Sequence, residues 1–306
     1  MSTRRTFLRQ SGWTAAGLLT GVAAFPNIII PKTKERLGVA LVGLGYYSGI
    51  LAPALQMTKH CYLAGLVTGT PSKIPVWSRR YGIPEKNSYN YENFESIAHN
   101  PDIDVIYVVL PTGIHAENSI RAAQAGKHVW CEKPMARTEA ECANMVKAAK
   151  DNKVSLCIGY RMQHEPNTQE VIRFGQQSTY GKILSLEAEA GYYDSRTNHW
   201  KMKKSMGGGA MYDMGVYPLN AARYVTGEEP VSVKAEHSTN RPEIFHKVDE
   251  TTSFELEFPS GARAYCKTSL GQSMNRLRVE ASKGWYRLRP FQAYSGVRGE
   301  ASDGRK

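Results

Sequence analysis

Short runs of apolar residues alternate with amphipathic segments through the first half of the 306-residue chain. Each run is continuously apolar, as in a strand buried on both faces of a parallel sheet, and the amphipathic segments have helical spacing. The predicted strands span residues 37–42, 62–67, 105–110, 128–131 and 154–158, and the predicted helices include residues 50–57, 117–125 and 138–151. This alternation predicts a doubly wound α/β half of the kind that binds nucleotides.

The second half of the chain shows a different periodicity. Apolar and polar residues alternate along residues 182–190, which predicts a strand with one buried face. Similar runs, separated by turn-forming residues, predict a meander of antiparallel strands at residues 231–236, 251–258, 262–269 and 277–281. Residues 285–290 predict one more strand. We therefore expect a nucleotide-binding domain at residues 34–159 and a C-terminal α+β domain with a large, mostly antiparallel sheet at residues 160–306.

A glycine-bearing turn joins the first predicted strand to the first predicted helix. Gly43 permits a tight turn, and Gly45 lets the backbone approach a pyrophosphate at the helix N-terminus, with Leu44 and Tyr46 alongside. Ser48 stands where the dinucleotide fingerprint has its third glycine. The turn alone therefore does not decide between nucleotide binding and an ordinary loop.

The end of the second strand indicates which dinucleotide fits. Dinucleotide folds that use NAD have Asp or Glu there to bind the ribose hydroxyls, whereas this chain has Thr68. Because Thr68 replaces the acidic residue, a 2'-phosphate would not be repelled at this position. Lys73, Arg79 and Arg80 follow as possible cationic partners for that phosphate. We predict NADP as the cofactor, with NAD as the alternative. A solvated helix face is the other interpretation of these cations.

Two further segments carry side chains suited to proton transfer. The fourth strand delivers Lys133 to the edge of the sheet where nucleotide folds bind their ligands. Asp213 and Tyr217 are four residues apart, so both side chains would lie on one face of a shared helix. Pro218 disfavours helical geometry at the residue before it, and the direction of the Tyr217 phenol therefore stays open.

Taken in order, these motifs resemble those of the Gfo/Idh/MocA family, which contains glucose-fructose oxidoreductase and inositol dehydrogenase. Tyr217 is similar to the tyrosine of the glucose-fructose oxidoreductase branch, and the resemblance extends from about Gly38 to Ser269. The residues that carry it are Gly43, Leu44, Gly45, Pro111, His115, Glu132, Lys133, Pro134, Gly159, Tyr160, Arg161, Gly207, Gly208, Gly209, Asp213, Gly215 and Tyr217. The resemblance implies an N-terminal Rossmann domain and a homo-oligomer formed through the C-terminal sheet.

The resemblance also implies a catalytic group of three residues. Tyr217 would take the proton from a sugar hydroxyl. Lys133 would polarise that oxygen and stabilise the ionised phenol, and Asp213 would orient the substrate.

Other matching residues would surround this group. Tyr160 and Arg161 would hold sugar hydroxyls, and Trp200 and Lys201 fall where the family often has a Trp-Arg pair near the substrate, although Trp200 could equally be a packing residue. The residues implied on the cofactor side are Pro111, Thr112, His115, Glu132 and Lys133. For His115, capping of its helix is the alternative role.

The first 33 residues predict where the protein works. The segment TRRTFLR at residues 3–9 resembles a twin-arginine export signal. The apolar stretch at residues 12–25 is too short and too rich in glycine for a good membrane span. We expect the twin-arginine machinery to export the folded protein to the periplasm, with an uncleaved membrane anchor as the alternative. Export in the folded state implies a tightly held nucleotide that a second substrate regenerates.

Composition excludes other classes of partner. The net charge of +11 is scattered along the chain without a basic helix, so nucleic-acid binding is not expected. The five cysteines lack CxxC spacing, so no metal site is expected. Residues 293–306 show no helical pattern, whereas the resemblance implies a closing strand and helix, so we expect a truncated C-terminal domain.

Three functions fit these patterns. The first, which we favour, is an NADP-dependent oxidoreductase acting on an aldose or a related polyol. The second is a glycosidase of the same superfamily that uses bound NAD for a transient oxidation, and Thr68 argues against it. The third is a non-catalytic sugar-binding fragment.

Overall fold

A parallel sheet of six strands forms the first half of the structure, a computed structural model that describes residues 34–306. Its strands are β1 (Leu37–Val42), β2 (Cys61–Val67), β3 (Ser88–Tyr89), β4 (Val105–Val108), β5 (His128–Glu132) and β6 (Leu156–Gly159). They lie in the order β3-β2-β1-β4-β5-β6. The order reverses between β1 and β4, so a ligand crevice is expected beyond the carboxyl ends of these two strands.

Four helices cover this sheet, namely α1 (Tyr46–Met57), α2 (Lys73–Tyr81), α3 (His115–Gln124) and α4 (Glu139–Asp151). The predicted alternation of strands and helices is confirmed. Helix α1 begins at Tyr46 and not at residue 50, because the glycine turn leads directly into it. The Thr138 side chain caps α4 by accepting a hydrogen bond from the backbone N–H of Glu141, at 3.1 Å.

A second sheet of seven strands forms the other half. Its strands are β7 (Ile183–Tyr193), β8 (Ser232–Ser238), β9 (Thr251–Glu257), β10 (Arg263–Ser269), β11 (Gly271–Ala281), β12 (Gly284–Leu288) and β13 (Gly299–Ala301). The order is β13-β12-β11-β7-β10-β9-β8. The predicted simple meander is wrong at one point, because β10 pairs with the long central strand β7 in parallel while β11 pairs with the other edge of β7.

One face of this sheet carries the second hydrophobic core. Inward residues such as Leu186, Phe254 and Leu277 are buried there, against the helices α5 (Pro166–Gln176), α6 (Ala210–Asp213) and α7 (Val216–Thr226). Pattern reading did not predict α5, which begins with Pro166 and is capped by the Glu165 side chain, an acceptor for the Thr168 N–H.

The prediction of one helix containing Asp213 and Tyr217 is wrong. Asp213 ends α6, and Tyr217 lies in the first turn of α7, after a break at Met214 and Gly215. Pro218 causes no kink, because a missing N–H costs nothing in the first turn of a helix.

Several sequence predictions concern features beyond these two sheets. The export signal at residues 1–33 lies outside the described residues. Within residues 34–306, no helix is long and apolar enough to cross a membrane. The same part of the chain has no group of three or more His, Cys, Asp or Glu side chains that could hold a metal ion. In the last segment, the strand β13 pairs with β12 through Tyr286 and Ala301.

Candidate active site

A cavity of about 990 Å³ opens beyond the carboxyl ends of β1, β4 and β5 and extends to the helices and loops of the second half. Its volume lies at the upper end of the range for ligand pockets. The predicted site residues that line it are Gly43, Leu44, Gly45, Tyr46, Thr68, Lys73, Pro111, Thr112, Glu132, Lys133, Arg161, Asp213 and Tyr217. Most of the residues assigned from the sequence to cofactor or substrate therefore face one space.

The glycine turn forms one end of this cavity. Gly43 has φ +90°, and a Cβ there would lie 2.6 Å from the carbonyl oxygen of Val109, so the position requires glycine. Nothing lies within 4 Å of a Cβ built on Gly45, which precedes α1. No side chain caps α1, and its first N–H groups are therefore available to an anion.

Ser48, at the position of the third glycine, forms a hydrogen bond within the turn. Its side chain is buried, and its hydroxyl donates a hydrogen bond to the carbonyl oxygen of Gly43. The serine therefore ties the turn to the first turn of α1. The shape and the free backbone donors fit the pyrophosphate of a dinucleotide.

The wall next to the glycine turn carries Thr68 and Lys73. Thr68 is buried at the end of β2, where its Oγ1 accepts a hydrogen bond from the Thr70 N–H at 3.1 Å. Lys73 Nζ donates to the carbonyl oxygen of Leu44 at 2.8 Å and so spans the turn. Arg79 and Arg80 lie in the last turn of α2 and do not line the cavity. Lys73 is thus the cation that the fold brings to this wall.

A cluster of charged side chains forms the opposite end. Lys133 follows β5, and its Nζ donates to the carbonyl oxygen of Asp213 at 2.6 Å and lies 3.8 Å from Asp213 Oδ1. The same ammonium lies 4.8 Å from the centre of the Tyr217 ring. The fold therefore brings together Lys133, Asp213 and Tyr217, the three residues predicted to be catalytic.

Burial and mutual attraction oppose each other in this cluster. Burial disfavours the charged form of Lys133, but the Tyr217, Asp213 and Glu132 side chains outweigh it and raise the pKa of the ammonium. Burial would raise the pKa of Asp213, yet Lys201 and Lys133 hold it below its ordinary value. At neutral pH both lysine and aspartate are therefore charged.

Glu132 differs from Asp213. It is buried, and its Oε1 accepts a hydrogen bond from the Tyr107 hydroxyl at 2.6 Å. Burial raises its pKa, and Tyr107 and Lys133 offset only part of that effect. Glu132 is the carboxyl group of the site that most readily takes up a proton.

Two predicted residues support the cavity without lining it. His115 is buried, with Nδ1 2.8 Å from the carbonyl oxygen of Pro134 and Nε2 2.7 Å from that of Leu110. Burial lowers its pKa. Through its two ring nitrogens, His115 links the loop after β4 to the turn after Lys133. Tyr160, predicted to hold sugar hydroxyls, does not line the cavity, and its ring packs against that of Tyr217 with centroids 5.8 Å apart.

Arg161 connects the cavity to a late segment of the chain. Its guanidinium donates to the Ala293 carbonyl oxygen and, at 3.2 Å, to the Gln292 side chain. The Tyr294 ring lies 4.7 Å from the same guanidinium and stacks on Tyr47 at 5.8 Å. A strap of residues 292–294 thus bridges the glycine-turn side of the cavity and the sheet side.

Sequence reasoning missed several residues of the lining. These are Tyr47, Tyr192, Arg196, His199 and the strap residues Gln292, Ala293 and Tyr294. The only local signal for Tyr47 is its place in the glycine turn, and Tyr192 is one of a pair at the end of a strand. Residues 292–294 carry no motif, because packing alone brings them to the site.

A glycine turn at the switch point of a parallel sheet and a buried Lys-Asp-Tyr cluster in one cavity define a dinucleotide-binding oxidoreductase. Residues 37–160 match the model of the oxidoreductase family with an NAD-binding Rossmann fold, and residues 168–287 match the model of the GFO/IDH/MocA C-terminal domain. The chain belongs to the Gfo/Idh/MocA oxidoreductase family.

Proteins similar to this chain include oxidoreductases that are named for carbohydrate substrates. The aldose-aldose oxidoreductase from Caulobacter crescentus, solved with glycerol, is 41% identical with a TM-score of 0.85, over 87% of this chain and 81% of that one. The D-xylose 1-dehydrogenase [NADP(+)] of Haloarcula marismortui is 26% identical, over 84% of this chain and 73% of the relative. The levoglucosan dehydrogenase of Pseudarthrobacter phenanthrenivorans is 32% identical, but the match covers 63% of this chain and only 52% of that relative.

Proposed function

We propose that the protein oxidises or reduces a sugar, an aldose or a related polyol, with a nicotinamide cofactor, preferably NADP. The observation that carries the proposal is that Lys133, Asp213 and Tyr217 share one cavity with the glycine turn at Gly43. A nicotinamide dinucleotide bound along that turn supplies the acceptor or donor of hydride. The protein must then handle the proton of the sugar hydroxyl.

Tyr217 and Lys133 are suited to that proton. In its phenolate form, Tyr217 accepts this proton from the reacting hydroxyl and becomes a neutral phenol. The neighbouring ammonium of Lys133 stabilises the phenolate before the transfer and the negative charge that develops on the reacting oxygen during it. Lys133 is placed for this because its Nζ lies over the Tyr217 ring and is held by the backbone of Asp213. The carboxylate of Asp213 lies in the same cavity, where it accepts a hydrogen bond from a second sugar hydroxyl.

The lining of the cavity supports a sugar as substrate. Tyr192, Trp200 and Tyr294 supply aromatic surface, and Arg161 and His199 supply hydrogen-bonding groups. Sugars bind to this mixture because their C–H faces pack on rings while their hydroxyls bond to polar side chains. The aldose-aldose oxidoreductase and the D-xylose dehydrogenase among the relatives support the same class of substrate.

The preference for NADP is supported at the wall beyond the glycine turn. Among the described residues that line the cavity, the carboxylates are Glu132 and Asp213, both at the reaction end. Thr68 and Lys73 therefore offer a hydroxyl and an ammonium to a 2'-phosphate without a repelling charge nearby. The D-xylose dehydrogenase relative is named as NADP-dependent.

Replacing Tyr217 with Phe tests the proposal. The change removes the hydroxyl and keeps the ring, so we expect sugar-dependent NADP reduction to fall at least about a hundredfold. The readout is absorbance of the reduced nicotinamide with glucose or xylose as substrate. Tyr81→Phe, at the end of α2 and outside the cavity, is the control and should keep full activity. A loss below about tenfold for Tyr217→Phe would remove the phenol from the mechanism.

We also propose that the second sheet joins two copies of the chain. Its outer face carries both signs of charge, with Glu187 and Glu189 near Lys267 and Arg276. The edge strand β8 is exposed along its whole length. A face with mixed charge can pair with its own copy about a two-fold axis. Light scattering of the purified protein would decide between a dimer and a monomer.

Export is a separate proposal that rests on Arg4 and Arg5. We propose that the twin-arginine machinery carries the protein to the periplasm with its nucleotide already bound. Substituting lysine at both positions should leave the protein in the cytoplasm, as measured by cell fractionation. Periplasmic location of the double variant would contradict this route.

A further inference from the structure

The carboxylate of Asp213 is held on one side by residues that the catalytic group does not include. Its Oδ2 accepts a hydrogen bond from Lys201 Nζ at 2.7 Å and another from the Tyr192 hydroxyl at 2.8 Å. Lys201 Nζ also donates to the Tyr192 oxygen at 2.8 Å. The three groups therefore form a closed triangle of hydrogen bonds.

The other carboxylate oxygen is in a different situation. Oδ1 of Asp213 lies 3.8 Å from Lys133 Nζ, beyond hydrogen-bonding distance. Among the described residues, none donates a hydrogen bond to this oxygen. With Oδ2 occupied by two donors, Oδ1 is the acceptor that remains for a group entering the cavity.

The triangle is built from separate parts of the chain. Tyr192 lies near the end of β7, Lys201 lies in the short turn Trp200–Met202, and Asp213 ends α6. The side chain of Lys201 is 18% exposed and that of Asp213 is 10% exposed. Partly buried, charge-assisted hydrogen bonds of this kind fix geometry more strongly than surface ion pairs do.

Two lysines share the single carboxylate of Asp213. Lys133 and Lys201 face one ionised carboxylate, and the Tyr192 hydroxyl bridges Lys201 and Asp213. Burial lowers the pKa of Lys201, although Asp213 counteracts it. Lys201 and Asp213 thus hold each other in place. The ammonium that faces Tyr217 belongs to Lys133, whose pKa is raised.

We propose that Lys201 and Tyr192 are positioning residues that fix the rotamer of Asp213 and turn its Oδ1 toward the substrate and Lys133. The role in turnover rests on the proposed function, whereas the orientation of the carboxylate does not. The competing interpretation is that Lys201 anchors only its own loop.

Crystal structures of Lys201→Met and of the unchanged protein test the orientation without any assay of activity. Met has a similar length but no donor, so we expect Asp213 to change rotamer and its Oδ1 to leave the neighbourhood of Lys133. Tyr192→Phe, which removes one hydroxyl, is the second variant if Lys201→Met fails to fold. An Asp213 carboxylate that keeps its place in both variants, even if residues 194–203 shift, would overturn the inference.

Kinetics with sugar and NADP test the consequence for turnover. We expect Lys201→Met to lower kcat about tenfold or more and Tyr192→Phe about threefold, with an unchanged Kd for NADP, because neither residue lies at the glycine turn. Lys201→Arg should recover part of the kcat. The controls are Lys203→Met and Tyr193→Phe, both at exposed neighbouring positions.

The two experiments separate failure of the inference from failure of the proposed function. If the unchanged protein oxidises no sugar, the proposed function fails, and the crystal structures still decide whether Lys201 and Tyr192 orient Asp213. If the unchanged protein is active and Lys201→Met keeps its kcat, the positioning role is wrong.

Discussion

The two ends of the cavity present different chemical groups, backbone donors at one end and side chains at the other. At the cofactor end, the groups that would contact the ligand are mainly backbone N–H donors, arranged by Gly43, Gly45 and the uncapped start of α1. At the reaction end, the groups are charged or phenolic side chains, with Lys133, Asp213 and Tyr217 at their centre.

This contrast determines which substitutions each end tolerates. A site made of backbone donors depends on the path of the chain. A methyl group added at a glycine of the turn should therefore weaken ligand binding more than a side-chain substitution next to the turn. A side-chain site depends on charge and on donor position, so a substitution of equal size that removes one charge damages it most. Changes at one end should therefore separate binding of nucleotide from catalysis.

Lys133→Met should show the largest effect. It removes the ammonium beside Tyr217 and Asp213, so we expect sugar oxidation to fall by about 10³-fold, within the range for a positioned group in proton transfer. NADP affinity should change by less than about threefold if the backbone governs nucleotide binding. Stopped-flow kinetics and fluorescence titration measure the two quantities.

Lys150→Met, at an exposed position of α4, is the matched control and should alter neither quantity. Loss of NADP binding in Lys133→Met, in parallel with loss of turnover, would break the comparison between the two ends.

Gly43→Ala should show the opposite pattern. The position has φ +90°, and the new Cβ would clash with the carbonyl oxygen of Val109, which costs about 1–3 kcal/mol of strain. We expect the turn to shift and the Kd for NADP to rise about thirtyfold, which corresponds to about 2 kcal/mol. Isothermal titration calorimetry measures the Kd.

Gly82→Ala is the control for strain alone, because Gly82 has φ +67° but open space around it and lies outside the cavity. It should lower the free energy of unfolding without weakening nucleotide binding. Equal NADP affinity in both variants would mean that the glycine turn does not contact the nucleotide.

Thr68→Asp should show the smallest effect of the three. A carboxylate at the end of β2 would repel a 2'-phosphate, so the ratio of NADP to NAD affinity should fall about tenfold, or about 1.4 kcal/mol. Thr68→Asn adds a similar volume without charge and should leave the ratio near its original value. A ratio that is unchanged in Thr68→Asp would contradict a position of Thr68 near the 2'-phosphate.

The sequence predicts the first half of the fold in detail because its signals are local. Continuous apolar runs and the glycine turn identify β1, β2, β4, β5 and β6 without reference to any distant residue. The second half resists the same approach at the parallel pair of β7 and β10, since pairing between distant strands leaves no local pattern. The break between Asp213 and Tyr217 was missed because spacing alone cannot exclude two short helices.

Local patterns in the chain specify the α/β class, the glycine turn, the presence of Thr68 without an acidic neighbour, and the identities of Lys133, Asp213 and Tyr217. The contact between Lys133 and Asp213, 80 residues apart in the chain, forms only on folding. Folding also brings Lys201 and Tyr192 to the Asp213 Oδ2 atom and places Tyr160 and His115 outside the cavity lining. The physical reason is that turns and strands follow from short-range backbone and hydrophobic preferences, whereas a cluster of charges forms only when packing brings distant segments together and excludes water from them.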